Sequence, residues 1–289
     1  MRVAAAITTF NRKEVLRRCL RAMLDQTRPL DEVIVVDNAS TDGTAAMVAA
    51  EFPSVRLVAM AENTGAAGGF AAGLEAGVAD GSDWVWMFND DDFPEPDALA
   101  TMLAATEGLP PRTGIVGCAR RDETGNPYGL GLLWRHRHIP VLEADPDGPP
   151  LAVDVVAFSG TLVAGGLVRQ VGVPKPQFFM MAEELDYCLR ARDAGWRTYV
   201  LPRQLVTAFA MGSEGSAPPW RGYYQTRNHL AMTLERRSLP ELAWWLSRTL
   251  RFCVGAVLYF GLGWLLARDL TVPLARSAVR ILRSGGRGP

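Results

Sequence analysis

Three consecutive carboxylates, Asp90-Asp91-Asp92, follow Asn89 and give this chain its clearest indication of chemistry. At about 4 Å and an effective dielectric near 20, two like charges repel by about 4 kcal/mol. A fold that gathers three of them therefore needs a compensating cation, and hard oxygen ligands suit Mg²⁺ or Mn²⁺. The run predicts a metal site at Asp91, Asp90 and Asp92, with an acidic helix-capping turn as the alternative.

A second acidic group, Glu183-Glu184-x-Asp186, opens a helix that the pattern predicts over residues 183–194, ending before Gly195. Negative charge is favourable in the first turn of a helix, so capping alone explains one acid. Three acids exceed that need. They predict a general base held near the edge of a sheet.

Polar residues also follow the first two predicted strands. Thr9, Asn11 and Arg12 offer a hydroxyl, an amide and a guanidinium that can meet a nucleotide, although an ordinary helix start is the alternative. Asp37 can accept hydrogen bonds from a ribose or a base imide, although Asp-Asn-Ala-Ser is also a common turn. We expect these residues to bind a nucleotide only if the fold brings them together.

Glycines in Asn63-Thr64-Gly65-Ala66-Ala67-Gly68-Gly69 open another predicted helix. Glycine permits close backbone approach, and a helix N-terminus favours a diphosphate or a sugar hydroxyl. Gly65, Gly68 and Gly69 are therefore predicted to let such a group approach the backbone closely. The spacing is not Gly-x-Gly-x-x-Gly and no Walker lysine follows, which disfavours dinucleotide-binding enzymes and nucleoside triphosphatases.

The elements that must position these residues alternate between strands and helices. Strands predicted over residues 3–8, 32–36, 55–58 and 83–88 indicate an α/β fold, with a mostly parallel sheet covered by helices on both faces. Ligands bind beyond the carboxyl ends of such strands, where Thr9, Asp37 and the acidic run would gather.

Local signals predict the remaining elements with less regular patterns. We expect a capping box between Asn11 and Glu14. The further expectations are an irregular excursion or short hairpin over 119–150, a strand over 153–158, a turn over 159–161, a loop over 201–219 and a helix over 220–237.

Charge is distributed unevenly along the chain. The net charge is −1, but the residues from Thr233 onward carry nine arginines against Glu235, Glu241 and Asp269. An apolar run over 252–267 lies among these arginines and is shorter than the ~20 residues of a simple membrane span. The pattern predicts a segment that lies in a membrane interface, and a helical hairpin packed on protein is the alternative. Lipid headgroups fit this segment better than nucleic acid.

Taken together, these motifs resemble the family 2 glycosyltransferases of the GT-A fold. The chain looks closest to actinobacterial galactofuranosyltransferases that initiate galactan on a polyprenyl-diphosphate disaccharide. Related rhamnosyltransferases share much of the pattern. The resemblance covers roughly residues 1–235, as a GT-A domain, and leaves 236–289 as a helical, membrane-associating region. It rests on Thr8 to Arg12, Val35-Val36-Asp37-Asn38, the glycine segment with Phe70, Trp84-Val85-Trp86 with the acidic run, Glu183-Glu184-x-Asp186 and Arg227-Asn228.

The resemblance implies a role for each matched residue. Asp37 would meet the donor's uracil or ribose, Asp91 would be the best metal ligand, and Glu184 would be the catalytic base. The residues implied around the donor are Thr9, Asn11, Arg12, Asn63, Gly68, Gly69, Asp90, Glu183, Arg227 and Asn228. The family commonly has a metal-binding histidine where this chain has Phe209.

The resemblance also implies partners and a place of action. The partners would be a nucleotide-sugar donor, a divalent cation and a lipid-linked glycan acceptor, and self-association is possible. The enzyme would invert the anomeric configuration while working on the cytoplasmic face of the cell membrane, with the basic tail resting on the inner leaflet. A non-catalytic binding or scaffolding subunit is the alternative from a different class.

Overall fold

Two compact units, Met1–Glu214 and Gly215–Pro289, make up the chain. The computed structural model describes residues 1–125, 127–128, 132–133, 137–138, 145–209, 219–243, 245–247, 249–250 and 254. Most of the apolar run over 252–267 lies outside the described residues, and so does most of the basic tail.

A ten-stranded mixed sheet forms the centre of the first unit. Its parallel strands are β1 (Val3–Thr9), β2 (Glu32–Asp37), β3 (Arg56–Ala59), β4 (Trp84–Asn89), β6 (Thr113–Asp122) and β12 (Arg197–Ala208). Its antiparallel strands are β5 (Asp92–Pro94), β7 (Pro127–Tyr128), β10 (Leu151–Val153) and β11 (Thr161–Ala164). The strand order is β10-β12-β6-β11-β4-β1-β2-β3, with β5 on β12 and β7 on β6. The α/β class expected from the alternating pattern is confirmed.

Helices α1 to α6 connect these strands. They are α1 (Lys13–Leu24), α2 (Thr44–Glu51), α3 (Gly65–Ala79), α4 (Ala98–Glu107), α5 (Gly165–Val171) and α6 (Glu183–Asp193). All seven residues of β1 are buried, as in a strand covered on both sides. Glu183–Asp193 matches the predicted helix closely, and Gly195 follows it at a φ of 83°.

The register of the parallel strands brings the predicted site residues to one edge. Thr9 pairs with Asp37 across β1 and β2, and Thr8 pairs with Asn89 across β1 and β4. Because these strands are parallel, their carboxyl ends meet side by side. The convergence that the sequence predicted is therefore confirmed for β1, β2 and β4.

A glycine stripe lets α3 approach this sheet closely. Gly69, Gly73 and Gly77 are spaced four residues apart and so share one face of the helix. A Cβ at Gly69 would lie 2.2 Å from Thr8 Cγ2, and a Cβ at Gly77 would lie 2.7 Å from Val85 Cγ2. Only residues without a side chain fit at this distance from the strands.

Two strand predictions were wrong. The loop expected over 201–219 is instead the second half of β12 as far as Ala208, where register shifts after Leu201 and Gln204 hide the strand alternation. The strand expected over 153–158 is wrong because β10 ends at Val153, whereas the turn expected over 159–161 is present at 159–160 and leads directly into β11. All four residues of β11 are buried, so its sequence lacks the alternation of apolar and polar residues that would have predicted a strand.

The capping box expected at Asn11 was also wrong. Asn11 adopts a φ of 52°, and Arg12 occupies the N-cap position of α1 without a side-chain capping bond. The Asn11 side chain instead accepts a hydrogen bond from the Thr41 N–H at 2.7 Å. Joining two loops across the sheet edge thus takes the place of capping.

The predicted hairpin within 119–150 is present as a pair of two-residue strands. β8 (Leu132–Leu133) pairs antiparallel with β9 (Arg137–His138). This pair forms a sheet separate from the main one.

The second unit contains the helix expected over 220–237. It is α7 (Pro219–Glu235), and residues 239–243 and 245–247 are again helical. The sequence had placed α7 in the first domain, whereas the structure groups it with the second unit. Among the described residues, no helix is both long and apolar enough to cross a membrane.

Candidate functional site

Arg12 joins two of the three acids at the end of β4. Its Nη1 lies 3.1 Å from Asp90 Oδ1 and 2.6 Å from Asp91 Oδ2. Thr9 Oγ1 donates a 2.6 Å hydrogen bond to the other oxygen of Asp90. The predicted residues Thr9, Arg12, Asp90 and Asp91 therefore form one connected polar cluster.

Asp92 points into a different environment from its two neighbours. Its Oδ2 lies 3.3 Å from Nη1 of Arg120, and both side chains are more than nine-tenths buried. The Ser159 side chain also donates to this carboxylate. Arg12 and Arg120 thus offset two of the three formal charges of the acidic run.

Burial opposes ionisation of the two inner carboxylates. It raises the pKa of Asp90 to about 6, although Arg12 and the Thr9 hydroxyl pull the value down. Burial also raises the pKa of Asp92, against the pull of Arg120. Asp91 is the most accessible of the three, since 27% of its side chain is exposed.

Glu184 sits within reach of the same network. Its carboxylate accepts a hydrogen bond from the Phe158 N–H, and Arg120 attracts its charge. Burial nevertheless raises the pKa of Glu184, which brings the carboxylate closer to the basicity that a general base needs. The charge of Arg120 therefore acts on both the acidic run and the predicted base.

Glu183 is almost fully buried, with 4% exposure. Burial, followed by the neighbouring charge of Glu184, raises its pKa well above the ordinary value. Its Oε2 has no hydrogen-bond partner among the described residues. A buried carboxyl in this position is better suited to hold a proton than to carry a charge.

Asp186, the third acid at the start of α6, forms salt bridges that have a structural role. It is buried and pairs with Lys175 at 2.9 Å and with Arg190 at 2.8 Å. Arg190 also donates to the carbonyls of Val171 and Val173. This network ties the segment before α6 to the helix and fixes its first turn.

The backbone immediately before α6 is strained. Phe179, Met181 and Ala182 all adopt φ values between 62° and 68°. Such conformations cost on the order of 1 kcal/mol or more each for residues with a side chain, and they cluster at functional sites. The Phe179 carbonyl accepts a hydrogen bond from Ala67 N–H, so the segment is also fixed to the start of α3.

Asp37, Asn11 and Asn63 organise loops at the same edge. Asp37 is 3% exposed and accepts a hydrogen bond from Ser40 N–H at 3.0 Å. Asn63 accepts one from Gly65 N–H at 2.9 Å, at the start of α3. These bonds are turn contacts of the kind that the alternative interpretations expected, and donor binding by the three residues stays a prediction.

Gly68 and Gly69 owe their identity to packing. A Cβ at Gly68 would lie 2.2 Å from Thr64 Oγ1, and a Cβ at Gly69 would meet Thr8. The reason for glycine here differs from the predicted donor contact, which stays a prediction.

Phe209 lies beside the acidic run. Its N–H donates a 2.7 Å hydrogen bond to the Asp91 carbonyl, because β12 ends alongside β5. Its ring stacks against the Arg18 guanidinium, which lies 4.8 Å from the ring centroid and also covers Phe93. An apolar, cation-covered ring thus occupies the position at which the resembled family commonly has a metal-binding histidine.

The side chains of the acidic run fit a divalent cation through Asp91. Its partly exposed carboxylate supplies hard oxygen, and the guanidinium of Arg12 already holds a positive charge against it. Asp90 and Asp92 are occupied by protein contacts. Across the described part of the chain, no three His, Cys, Asp or Glu side chains converge as a metal site. The remaining ligands would have to come from substrate and water.

Arg227 and Asn228 lie on α7 in the second unit. Arg227 Nε donates to Asn228 Oδ1 at 2.9 Å, and its guanidinium stacks on the Tyr224 ring at 4.8 Å from the centroid. Their predicted role near a donor diphosphate stays a prediction.

Arg120 and Ser159 are the site residues that sequence reasoning missed. Arg120 directly follows the apolar segment Ile115–Ala119 at the end of a buried strand, which is where the other site residues also lie. That position was a usable signal. Ser159 could not be found in this way, because its role depends on the hydrogen bond to Asp92 and on the turn before β11.

Three comparisons show which known proteins this chain is similar to. The model of the family described as "Glycosyl transferase family 2" matches residues 5–163. The chain is 31% identical over 200 residues to "Galactofuranosyltransferase GlfT1" of Mycolicibacterium smegmatis. It is 28% identical over 237 residues to "N-acetylglucosaminyl-diphospho-decaprenol L-rhamnosyltransferase" of Mycobacterium tuberculosis.

The extent of these matches differs. The galactofuranosyltransferase match covers 67% of this chain and 66% of the relative's length, and the rhamnosyltransferase match covers 73% and 76%. Among solved structures, S. aureus TarS 1-349 in complex with UDP superposes with a TM-score of 0.59 at 16% identity, covering 95% of this chain and 78% of TarS. At this identity the likeness concerns the fold alone.

Proposed function

Because this chain belongs to glycosyl transferase family 2, we propose that it moves a sugar from a nucleotide-sugar donor to a hydroxyl of a lipid-linked cell-wall glycan. The names of the galactofuranosyltransferase and rhamnosyltransferase relatives support such an acceptor. The donor proposed first is UDP-galactofuranose.

One observation carries this proposal. Arg120 pairs with Asp92 and attracts Glu184, so the acidic run and a carboxylate with a raised pKa belong to one network at the carboxyl edge of the sheet. Ligands of α/β sheets bind beyond this edge. The arrangement supplies a charge-binding group and a proton acceptor, which a sugar transfer needs.

The proposed reaction is a single in-line displacement. Glu184 takes the proton of the acceptor hydroxyl while that oxygen attacks the anomeric carbon, so the configuration inverts. Asp37 orients the nucleoside of the donor. Arg12 binds the negative charge of the leaving nucleoside diphosphate. The same role for Arg227, on α7, stays a prediction.

A divalent cation, Mn²⁺ or Mg²⁺, would be held by Asp91 and would stabilise the charge that develops on the leaving group. Glu183 lies beside the base, buried without a hydrogen-bond partner on Oε2 among the described residues, and burial raises its pKa, which favours the neutral carboxyl. A second full negative charge there would oppose approach of the donor.

A rhamnosyl donor is the second candidate. The match to the M. tuberculosis rhamnosyltransferase covers larger shares of both chains than the galactofuranosyltransferase match does. The same site chemistry would then use dTDP-rhamnose. Only the residues that contact the transferred sugar and the nucleoside of the donor would differ.

The test is transfer activity against a panel of sugar nucleotides with a polyprenyl-diphosphate-linked disaccharide as acceptor. Release of nucleoside diphosphate with one donor, and none with the others, identifies the substrate. Asp91→Ala and Glu184→Gln should each lower the rate, Glu184→Gln by about 10²- to 10⁴-fold.

Urea unfolding of both variants is the control, because each must remain folded for the loss to report on chemistry. Full activity in either variant would contradict the assigned role. Binding of UDP and Mn²⁺ without turnover on any acceptor would support a non-catalytic scaffold instead.

The place of action proposed with this function is the cytoplasmic face of the cell membrane. Several side chains of the second unit support it, since Leu239, Leu246 and Leu250 expose 77%, 53% and 65% of their surface. The nine arginines that follow Leu234 favour an anionic surface. A lipid-linked acceptor would be met at that surface.

A further inference from the structure

We propose that Arg12 acts as a counter-cation for Asp91 in the free protein. When the donor binds, its diphosphate pairs with Arg12, and the Asp91 carboxylate becomes available to a divalent ion. This inference rests on the proposed function and deepens it. It gives Arg12 two successive partners, a carboxylate in the free protein and a diphosphate in the complex.

The contact geometry is that of a cation already in place. A single nitrogen, Nη1 of Arg12, lies 2.6 Å from Asp91 Oδ2 and 3.1 Å from Asp90 Oδ1. It therefore bridges two adjacent carboxylates as a bound ion would. The second oxygen of Asp90 is taken by Thr9, so Arg12 is the partner that neutralises the outer face of the pair.

Electrostatic repulsion prevents Arg12 and a divalent ion from contacting Asp91 at the same time. Two cations beside Asp91 would repel each other, and at about 4 Å the repulsion is several kcal/mol at an effective dielectric near 20. A divalent ion that approaches Asp91 must therefore displace the guanidinium. The bond to Asp91 is short and charge-assisted, so displacement weakens the apparent affinity of the metal.

The side chain of Arg12 is built to move while its backbone stays fixed. The flanking loop is tied by the hydrogen bonds from Thr41 N–H to Asn11 and from Asn11 N–H to Ser40. The Arg12 side chain itself is 38% exposed, whereas Arg120 is 9% exposed. Of the two arginines, Arg12 is therefore the one that can change partner without opening the core.

A diphosphate supplies the alternative partner. Guanidinium binds phosphate oxygens in two parallel hydrogen bonds, and a diphosphate carries more negative charge than one carboxylate. Once Arg12 binds the diphosphate, Asp91 becomes available to a metal. Nucleotide and metal should then strengthen each other's binding, as thermodynamic linkage requires.

The experiment measures binding in the absence of acceptor, so that turnover plays no part. Calorimetric titration with Mn²⁺ alone compares wild type with Arg12→Gln. We expect Arg12→Gln to bind Mn²⁺ about tenfold more tightly, because no guanidinium has to be displaced. Titration with UDP in the presence of a chelator should show the reverse, with about tenfold weaker binding to Arg12→Gln.

Two further variants separate this effect from general charge and from folding. Arg17→Gln removes the same charge from α1, at a residue paired with Glu51, and should leave both affinities at the wild-type values. Arg12→Lys keeps a cation and should bind Mn²⁺ as weakly as wild type. Asp91→Asn should remove Mn²⁺ binding in either background.

Each result has a consequence. The counter-cation role is overturned if Arg12→Gln binds Mn²⁺ no more tightly than wild type does. This holds also if the substitution disturbs the loop around residue 12. Unchanged UDP affinity overturns the transfer of Arg12 to the diphosphate. If wild type binds neither Mn²⁺ nor UDP, the counter-cation role and the proposal of UDP-galactofuranose as the donor both fail.

Discussion

Arg120 shows how one buried side chain can set the chemistry of its neighbours. It is paired with Asp92 at 3.3 Å, and its charge also acts on Glu184. Burial pushes the pKa of Glu184 up while Arg120 pulls it down. The basicity of the predicted base is therefore a balance between solvent exclusion and a single fixed cation.

Substitution of Arg120 tests this balance at the residue scale. Glu184 must be ionised to accept a proton, so activity falls as pH drops through its pKa. Without the positive charge of Arg120 that pKa rises, and the acid limb of the kcat/KM profile of Arg120→Gln should move to higher pH. The measurement is kcat/KM as a function of pH, from about pH 4 to about pH 9 in steps of about half a pH unit.

Two variants control for structural damage in that experiment. Arg120→Lys keeps the charge and should keep the wild-type limb. Arg120→Gln combined with Asp92→Asn removes the buried pair together, which limits the cost of leaving Asp92 unpaired. A limb that stays in place or moves to lower pH would contradict the influence of Arg120 on the base.

At the scale of elements, the contact between α3 and β1 fixes the geometry of the edge. Gly69 packs on Thr8, which immediately precedes the Thr9 that binds Asp90. Asn38 on the neighbouring loop donates to the Gly65 carbonyl and accepts from Thr64. A shift of α3 would therefore move both the loop after β2 and the end of β1.

Gly69→Ala should destabilise the protein by about 1–3 kcal/mol, because its Cβ would overlap Thr8 Cγ2 at 2.2 Å. Urea unfolding measures the loss. Adding Thr8→Ser removes the clashing methyl group, so the double variant should lose less than the sum of the single variants.

Gly222→Ala is the matched control for that series. Gly222 lies within α7, and a Cβ there would meet nothing within 4 Å. The substitution should be neutral or should stabilise α7 by up to about 1 kcal/mol. Equal stability of Gly69→Ala and wild type would show that α3 can move away from the sheet without cost.

At the scale of the whole molecule, the two units differ in what they expose. Of the large apolar side chains that are exposed within the described residues, two lie in the first unit, Met1 and Leu24. The other six lie in the second unit: Tyr223, Leu234, Leu239, Leu246, Leu250 and Val254. A concentration of this kind indicates an interaction surface, and the basic composition of the same region favours anionic lipid.

Vesicle binding by the full chain tests this surface. The protein should co-sediment with vesicles of anionic phosphatidylglycerol, and less so at high salt. Replacing Leu239, Leu246 and Leu250 with Ser should weaken binding by at least about tenfold, since each leucine loses apolar area that would enter the bilayer interface.

Leu24→Ser is the control, because Leu24 is 45% exposed but lies on α1 in the first unit. It should bind vesicles like wild type. The proposal of membrane association would be wrong if the wild-type chain failed to sediment with vesicles at low salt. It would also be wrong if the triple variant sedimented as well as wild type.

The amino-acid sequence by itself determined the alternating strands and helices, the helix over 183–193 and the edge at which Thr9, Asp37 and the acidic run meet. The first two depend on periodicity, which is a local property of the chain, and the third depends on the rule that alternating strands and helices form a parallel sheet whose carboxyl ends share one edge. The same local reasoning failed at β11 and β12, where four buried residues and two register shifts leave no regular pattern.

Only the tertiary structure decided how the three acids differ from one another. They are consecutive in sequence, yet Asp90 contacts Thr9 and Arg12, Asp92 contacts Arg120, and Asp91 keeps 27% of its surface exposed. These partners lie between 28 and 81 residues away along the chain, and side chains this distant in sequence become neighbours only when the sheet forms. For this reason composition and spacing could predict an acidic site, but the division of its charges between Arg12 and Arg120 had to be read from the fold.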